Sequence, residues 1–133
     1  MNTVTLKWLE YAKADLEAAE VLTKSGKTSH SYQLAILHCH QALEKILKTW
    51  MVCKNGAPKR IHDLVKLAQD ADLKMPERFL KYISALNPHY QPARYPDISY
   101  QQTVLIYDSN KAKYHLGKTK ELFQWLEERI LRK

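Results

Sequence analysis

Apolar residues recur every three or four positions over most of this chain, and the breaks between recurrences divide it into helices. Leu6, Leu9, Ala12, Leu16, Ala19 and Leu22 set out the first, from about Thr5 to Lys24. Gly26 follows where a left-handed glycine closes a helix. The second helix is the longest, from about Ser31 to Lys54, and Asn55-Gly56 stops it. On a helical projection Tyr32, Ala35, Ile36, Cys39, Ala42, Leu43, Ile46, Leu47, Trp50 and Cys53 share an arc of about 120°. The opposite arc holds Gln33, His40, Gln41, Glu44, Lys45 and Lys48. The spacing predicts an amphipathic helix of about seven turns.

Two shorter helices follow. His62 to Ala71 carries Leu64, Val65, Leu67 and Ala68. Pro76 opens another, to about Asn87, with Phe79, Leu80, Ile83 and Leu86 inward, proline being tolerated in a first turn. Pro88 to Ser99 holds three of the five prolines and reads as an irregular loop. Thr103 to Tyr107 looks locally like a strand, but a lone strand has nothing to pair with, so Gln101 to Tyr107 reads as a packed connector or helix start. Asp108 and Ser109 are N-cap residues for a last helix running through Ala112, Leu116, Leu122, Phe123, Leu126 and Ile130. The pattern predicts one all-α domain over residues 1–133, an up-and-down helical bundle of four to five helices.

Composition narrows this only a little. With 133 residues the chain can bury one core, and the low counts of Gly (3) and Pro (5) argue against a turn-rich β-sandwich or barrel. A net charge of +7 suits an anionic partner without choosing among nucleic acid, nucleotide and acidic protein. Cys39 and Cys53 form neither a disulfide framework nor a metal-type spacing, and no metal or cofactor is expected. Met1 to Leu9 has no signal-type apolar run, and no stretch of about 18 apolar residues could span a membrane. The expected location is the cytoplasm, with no membrane association.

Three segments carry a resemblance. They are Ala14-Asp15-Leu16-Glu17-Ala18-Ala19, then Gln41-Ala42-Leu43-Glu44-Lys45-Ile46-Leu47-Lys48 preceded by His38 and His40, then Pro58-Lys59-Arg60-Ile61-His62-Asp63-Leu64 with Leu86-Asn87-Pro88 and Arg94-Tyr95-Pro96-Asp97. In order, spacing and length they resemble the HEPN family over nearly the whole chain. The resemblance implies a helical bundle, usually a homodimer. Stand-alone prokaryotic members are often paired with a minimal nucleotidyltransferase, several pairs resembling toxin–antitoxin modules. Many members are metal-independent ribonucleases that use an arginine and a histidine separated by four to six residues. This chain departs from that motif: the residues at those distances after Arg94 are Ser99, Tyr100 and Gln101, and no other arginine passes.

The candidate residues are therefore argued from their own chemistry. Arg94, Tyr95 and Asp97 lie in a turn stiffened by Pro96, where Arg94 can grip a phosphate while Tyr90, Tyr95 or Tyr100 stacks on a base. The competing reading pairs Arg94 with Asp97. Arg60 and His62 stand at a loop-to-helix junction, where His62 or Asp63 caps the helix or Arg60 joins its N-terminus as an anion site. As a weak catalytic set, Arg94, Arg60 and His62 would provide a base and a cation for phosphodiester cleavage. His40 and Glu44, a turn apart, read as a solvated pair. His115 reads as a satisfied core histidine, and Cys39 and Cys53 as buried small residues.

Lys45, Lys48, Lys54, Lys59 and Arg60 carry +5 over sixteen residues without an acid, and Lys111, Lys113, Lys118 and Lys120 add +4. On one surface they would bind a phosphate backbone. Sixteen lysines against five arginines fit an ordinary solvated surface better. Leu34 and Leu37 interrupt the polar arc and, exposed together, would call for a second subunit. Two functions are expected. One is a non-catalytic or weakly catalytic homodimeric module that binds a nucleotidyltransferase partner, nucleotide or RNA through a basic face and the Arg94–Asp97 loop. The alternative is a metal-independent endoribonuclease toxin.

Overall fold

The first-turn amides of a helix lack intrahelical partners, and side-chain caps supply them at four helices of this chain. The structure, a computed structural model, describes residues 1–97 and 107–132. Asn2 Oδ1 accepts the Thr5 amide at 2.9 Å and opens α1 (Thr3–Ser25). Thr28 Oγ1 accepts the Ser31 amide at 3.1 Å and opens α2 (Ser29–Asn55). Asp63 caps α3 (Leu64–Asp70) through the Val65 and Lys66 amides, at 3.0 and 3.1 Å. Pro76 precedes α4 (Glu77–Leu86), a 3₁₀ turn over Asn87–His89 leads into the single-turn α5 (Tyr90–Arg94), and Asp108 caps α6 (Ser109–Leu131).

The two glycine stops differ in cause. Gly26 is extended (φ −69°, ψ 148°), not left-handed as expected; a Cβ there would sit 2.4 Å from the Leu22 carbonyl oxygen. Glycine is needed at that position for close approach. Gly56 does take the left-handed region, at φ +78°. Gly56→Ala is expected to cost about 1 kcal/mol because a Cβ disfavours that region. A lowered urea midpoint with an unchanged helical circular dichroism spectrum is the expected readout; an unchanged midpoint contradicts it.

Helix α2 is the centre of the bundle. Its Ile36, Leu43, Ile46 and Leu47 are fully buried against Leu9, Ala12 and Ala19 of α1 and Leu122, Leu126 and Ile130 of α6. Full burial of one such leucine or isoleucine stabilises by about 1.5–3 kcal/mol. Leu64, Leu67, Phe79, Ile83 and Leu86 on α3 and α4 join the same core. The described residues are all helix and connection, in the expected up-and-down bundle.

Three expectations change. From Pro88 to Arg94 the chain is not irregular: it forms the 3₁₀ turn and α5. Pro88 and Pro92 fall in first turns, where a missing N–H has no partner to lose. Arg94 thus ends a helix, and Tyr95 leaves it in extended geometry (φ −118°, ψ 107°), as a residue before proline should. The connector expected from Gln101 lies, apart from the buried Tyr107, outside the described residues.

The polar arc of α2 is also not solvated. Gln33, His40, Glu44 and Lys48 are all buried, because α3, the 3₁₀ turn and α5 lie across them. Leu37 is buried and Leu34 half-buried, so they form no exposed patch and the argument for a second subunit drawn from them falls away.

Candidate functional site

Burying a carboxylate is costly unless it is paired and hydrogen-bonded, and Glu44 is both. Its Oε2 accepts from Lys48 Nζ at 3.0 Å, a pair whose side chains are nearly out of solvent. Its two oxygens lie 3.0 and 3.1 Å from Nδ1 of His62, which the approach to α3 brings down onto α2. His40, one turn before Glu44, points Nδ1 at Glu44 Oε1 from 3.8 Å, beyond hydrogen-bond range.

Asn87 settles the protonation of His40. Its amide nitrogen donates to Asp63 Oδ1 at 3.0 Å, and its oxygen accepts the Leu64 amide at 3.0 Å. The contact of that oxygen with His40 Nε2 at 3.2 Å therefore requires His40 to donate. In the neutral ring Nδ1 is then bare, and it is a buried side-chain polar atom without a hydrogen-bond partner among the described residues. Burial holds His40 neutral, pushing its pKa down to about 4.

Tyr90 connects this polar core to the surface. Its ring stacks on His62 (centroids 4.8 Å, 20° between planes) and lies 4.7 Å from His40. The Arg94 guanidinium sits 5.4 Å from the same ring and donates from Nη1 to the Tyr90 hydroxyl. Burial raises the Tyr90 phenol above its ordinary value, partly offset by Arg94, so it keeps its proton at neutral pH. Beside these residues is a cleft of about 310 Å³ lined by His62, Asp63, Asn87, Pro88, Tyr90, Gln91 and Pro92. His62 and Arg94, distant in sequence, thus share one aromatic platform at its edge. The imidazole keeps Nε2 unused by Glu44, and among the described residues the guanidinium donates one hydrogen bond, to Tyr90.

The other sequence candidates are placed differently. Tyr95 is exposed and receives Arg94 over its ring at 5.9 Å, while Asp97 is exposed. Arg94 therefore spends its described contacts on the two tyrosines and not on Asp97. Arg60 is exposed on the connection between α2 and α3, outside the cluster around Tyr90. Asp63, not His62, is the cap of α3. Lys48 is buried on Glu44 and does not face solvent. Lys45 bonds Asp15, which also holds His38 Nδ1 at 3.0 Å. Burial pushes the Asp15 carboxyl up, but the hydrogen bonds and charges of His38 and Lys45 outweigh it and leave it below its ordinary value. Lys59 pairs with Asp70 and Lys120 with Glu20. Lys45, Lys48, Lys59 and Lys120 of the basic clusters are thus paired with carboxylates, all but Lys48 on neighbouring elements, which linear spacing could not reveal.

His40 and Glu44 are the site residues that sequence reasoning underrated, as a solvated pair. The usable signal was the periodicity itself. His40, Glu44 and Lys48 recur every four residues beside an already wide apolar arc, while short apolar-faced helices downstream need a surface to cover.

A second polar cluster lies in the core. The Tyr82 hydroxyl is 3.0 Å from His115 Nδ1, 3.1 Å from the His115 carbonyl and 2.9 Å from Thr119 Oγ1. Burial lowers His115 to about 4 and raises the Cys39 thiol to about 12, so His115 is the satisfied core histidine expected and Cys39 is not a nucleophile. Cys53 is only half-buried. Among the described residues, no group of three or more His, Cys, Asp or Glu is arranged to hold a metal ion, and no helix is long and apolar enough to cross a membrane.

The model of the HEPN domain matches residues 5–129. No curated protein matches the chain. Among solved structures, TT1696 from Thermus thermophilus is 25% identical, with a TM-score of 0.78 over 93% of this chain and 96% of that one. ST0689, an archaeal HEPN homologue, is 26% identical, with a TM-score of 0.72 over 95% of this chain and 97% of its own. Since the family match runs from the first turn of α1 to the last turns of α6, the chain belongs to the HEPN family.

Proposed function

We propose that this chain is a binding module that takes a phosphate-bearing ligand, an RNA strand or a nucleotide, at the edge formed by His62, Tyr90 and Arg94. The observation that carries this reading is the meeting of His62 and Arg94 on the ring of Tyr90, at the mouth of a cleft large enough for part of a nucleotide. Arg94 supplies a planar set of donors for phosphate, and the half-exposed His62 ring supplies a stacking face and a free nitrogen. The carboxylate partners of Lys45, Lys48, Lys59 and Lys120 favour this compact site over a broad basic face. Arg94→Ala is expected to weaken binding of a single-stranded oligoribonucleotide at least tenfold while the far-ultraviolet spectrum stays helical. Unchanged affinity removes Arg94 from the site.

The Glu44–His62 contact favours a second reading, a metal-independent endoribonuclease. A carboxylate on one imidazole nitrogen orients the other as a general base for a 2′-hydroxyl, with Arg94 as the cation beside the phosphate. Cleavage should then persist in chelator and vanish in both His62→Ala and Arg94→Ala; absence of cleavage by folded wild-type protein rejects it. A homodimer and a minimal nucleotidyltransferase partner are the family's usual company, and the exposed Val4, Leu6 and Tyr11 of α1 support a second copy.

A further inference from the structure

We infer that Glu44 is a positioning residue: its carboxylate keeps a proton on Nδ1 of His62, so that Nε2 is the nitrogen presented to an arriving phosphate. This rests on the reading of His62 and Arg94 as a phosphate site, and adds which nitrogen meets the ligand and what selects it.

Three contacts fix the assignment. Lys48 has donors only, and its ammonium on Oε2 anchors Glu44 in place, with both side chains under 10% exposed. A nitrogen at 3.0 and 3.1 Å from two carboxylate oxygens must be a donor, so His62 Nδ1 carries a hydrogen whether the ring is neutral or charged. His40 does not compete for this carboxylate, because Asn87 takes its Nε2–H and leaves Nδ1 bare. The two imidazoles beside Glu44 therefore hold their protons on opposite nitrogens. His62 Nε2 lies across the ring from the buried carboxylate, on a side chain 54% exposed and stacked on the ring that also carries Arg94. Neutral, that nitrogen accepts a hydroxyl proton; protonated, it donates to a phosphate oxygen.

Glu44→Gln makes the test discriminating. Lys48 cannot accept, so the glutamine oxygen turns to it and the amide NH₂ faces His62, which must then accept at Nδ1 and carry its proton on Nε2. Nitrogen-15 spectra of the imidazoles in the full chain read this directly. Wild-type neutral His62 is expected to be protonated on Nδ1, and a short single-stranded oligoribonucleotide should shift Nε2 while Nδ1 stays hydrogen-bonded. Glu44→Gln should reverse the tautomer of neutral His62, and a folded variant that keeps its proton on Nδ1 overturns the inference. Wild-type neutral His62 protonated on Nε2 overturns the inference even if the variant does not fold. Arg94-dependent binding that leaves Nε2 unmoved also overturns it while leaving the phosphate site standing. No binding at all by folded wild-type protein overturns the phosphate reading itself, and this inference with it.

Discussion

Acidification from pH 7 to about pH 4 is expected to strip this protein of several kilocalories per mole of stability, with buried imidazoles as the main cause. An unfolded histidine titrates near 6.5, whereas burial lowers His40 and His115 to about 4 in the fold, and lowers His89 as well. Between those values the unfolded state binds protons that the folded state refuses. Stability is therefore complete above about pH 6.5 and falls as pH drops toward 4. His40 alone accounts for about 3 kcal/mol at pH 4. Asp15 acts in the same direction below its unfolded value, since protonation there loses the bonds to His38 and Lys45. Urea midpoints measured across this range should decline steeply below about pH 6. His40→Gln should lower stability at pH 7 yet flatten the acid slope. A wild-type midpoint constant down to pH 4.5 contradicts the assignment of neutral buried histidines.

Asn87→Ala is the substitution with the next largest expected effect. One side chain there accepts from His40 and from the Leu64 amide, and donates to the cap residue Asp63. Alanine strands the Nε2–H of a fully buried imidazole and loosens the start of α3, at a cost of about 2–4 kcal/mol. For a chain of this size that lowers Tm by roughly 10 °C. Lys81→Ala, at an exposed pair on α4, is the control and should move Tm by little. A Tm for Asn87→Ala within a degree or two of wild type would show that Asn87 does not organise this corner.

The helices were legible because their apolar periodicity is set by one-dimensional spacing. For the helices the spacing predicted, the structure moves the ends by only one or two residues, as with Ser29–Asn55 against the expected Ser31 to Lys54, whereas α5 fell in a stretch read as loop. The site was legible in parts. Arg94 and His62 were named by their chemistry, and Tyr90 as a stacking partner, but nothing in the spacing tells that α5 carries Arg94 back over His62. The burial of Glu44 depends on three short downstream elements covering one face of α2. Glu44 and Lys48 look alike on a helical projection whether that face meets water or protein. The lysine clusters misled for the same reason: Asp15, Asp70 and Glu20, which neutralise Lys45, Lys59 and Lys120, lie on other elements.

The most direct test of the account is to map a short single-stranded oligoribonucleotide onto the protein by amide and side-chain chemical shifts. The perturbations are expected to gather at His62, Tyr90, Gln91 and Arg94, around the cleft lined by α5, and to disappear in Arg94→Ala protein that remains folded. Perturbations confined to the lysines of α6 or to Lys54, Lys59 and Arg60, with the Tyr90 platform unmoved, would contradict it.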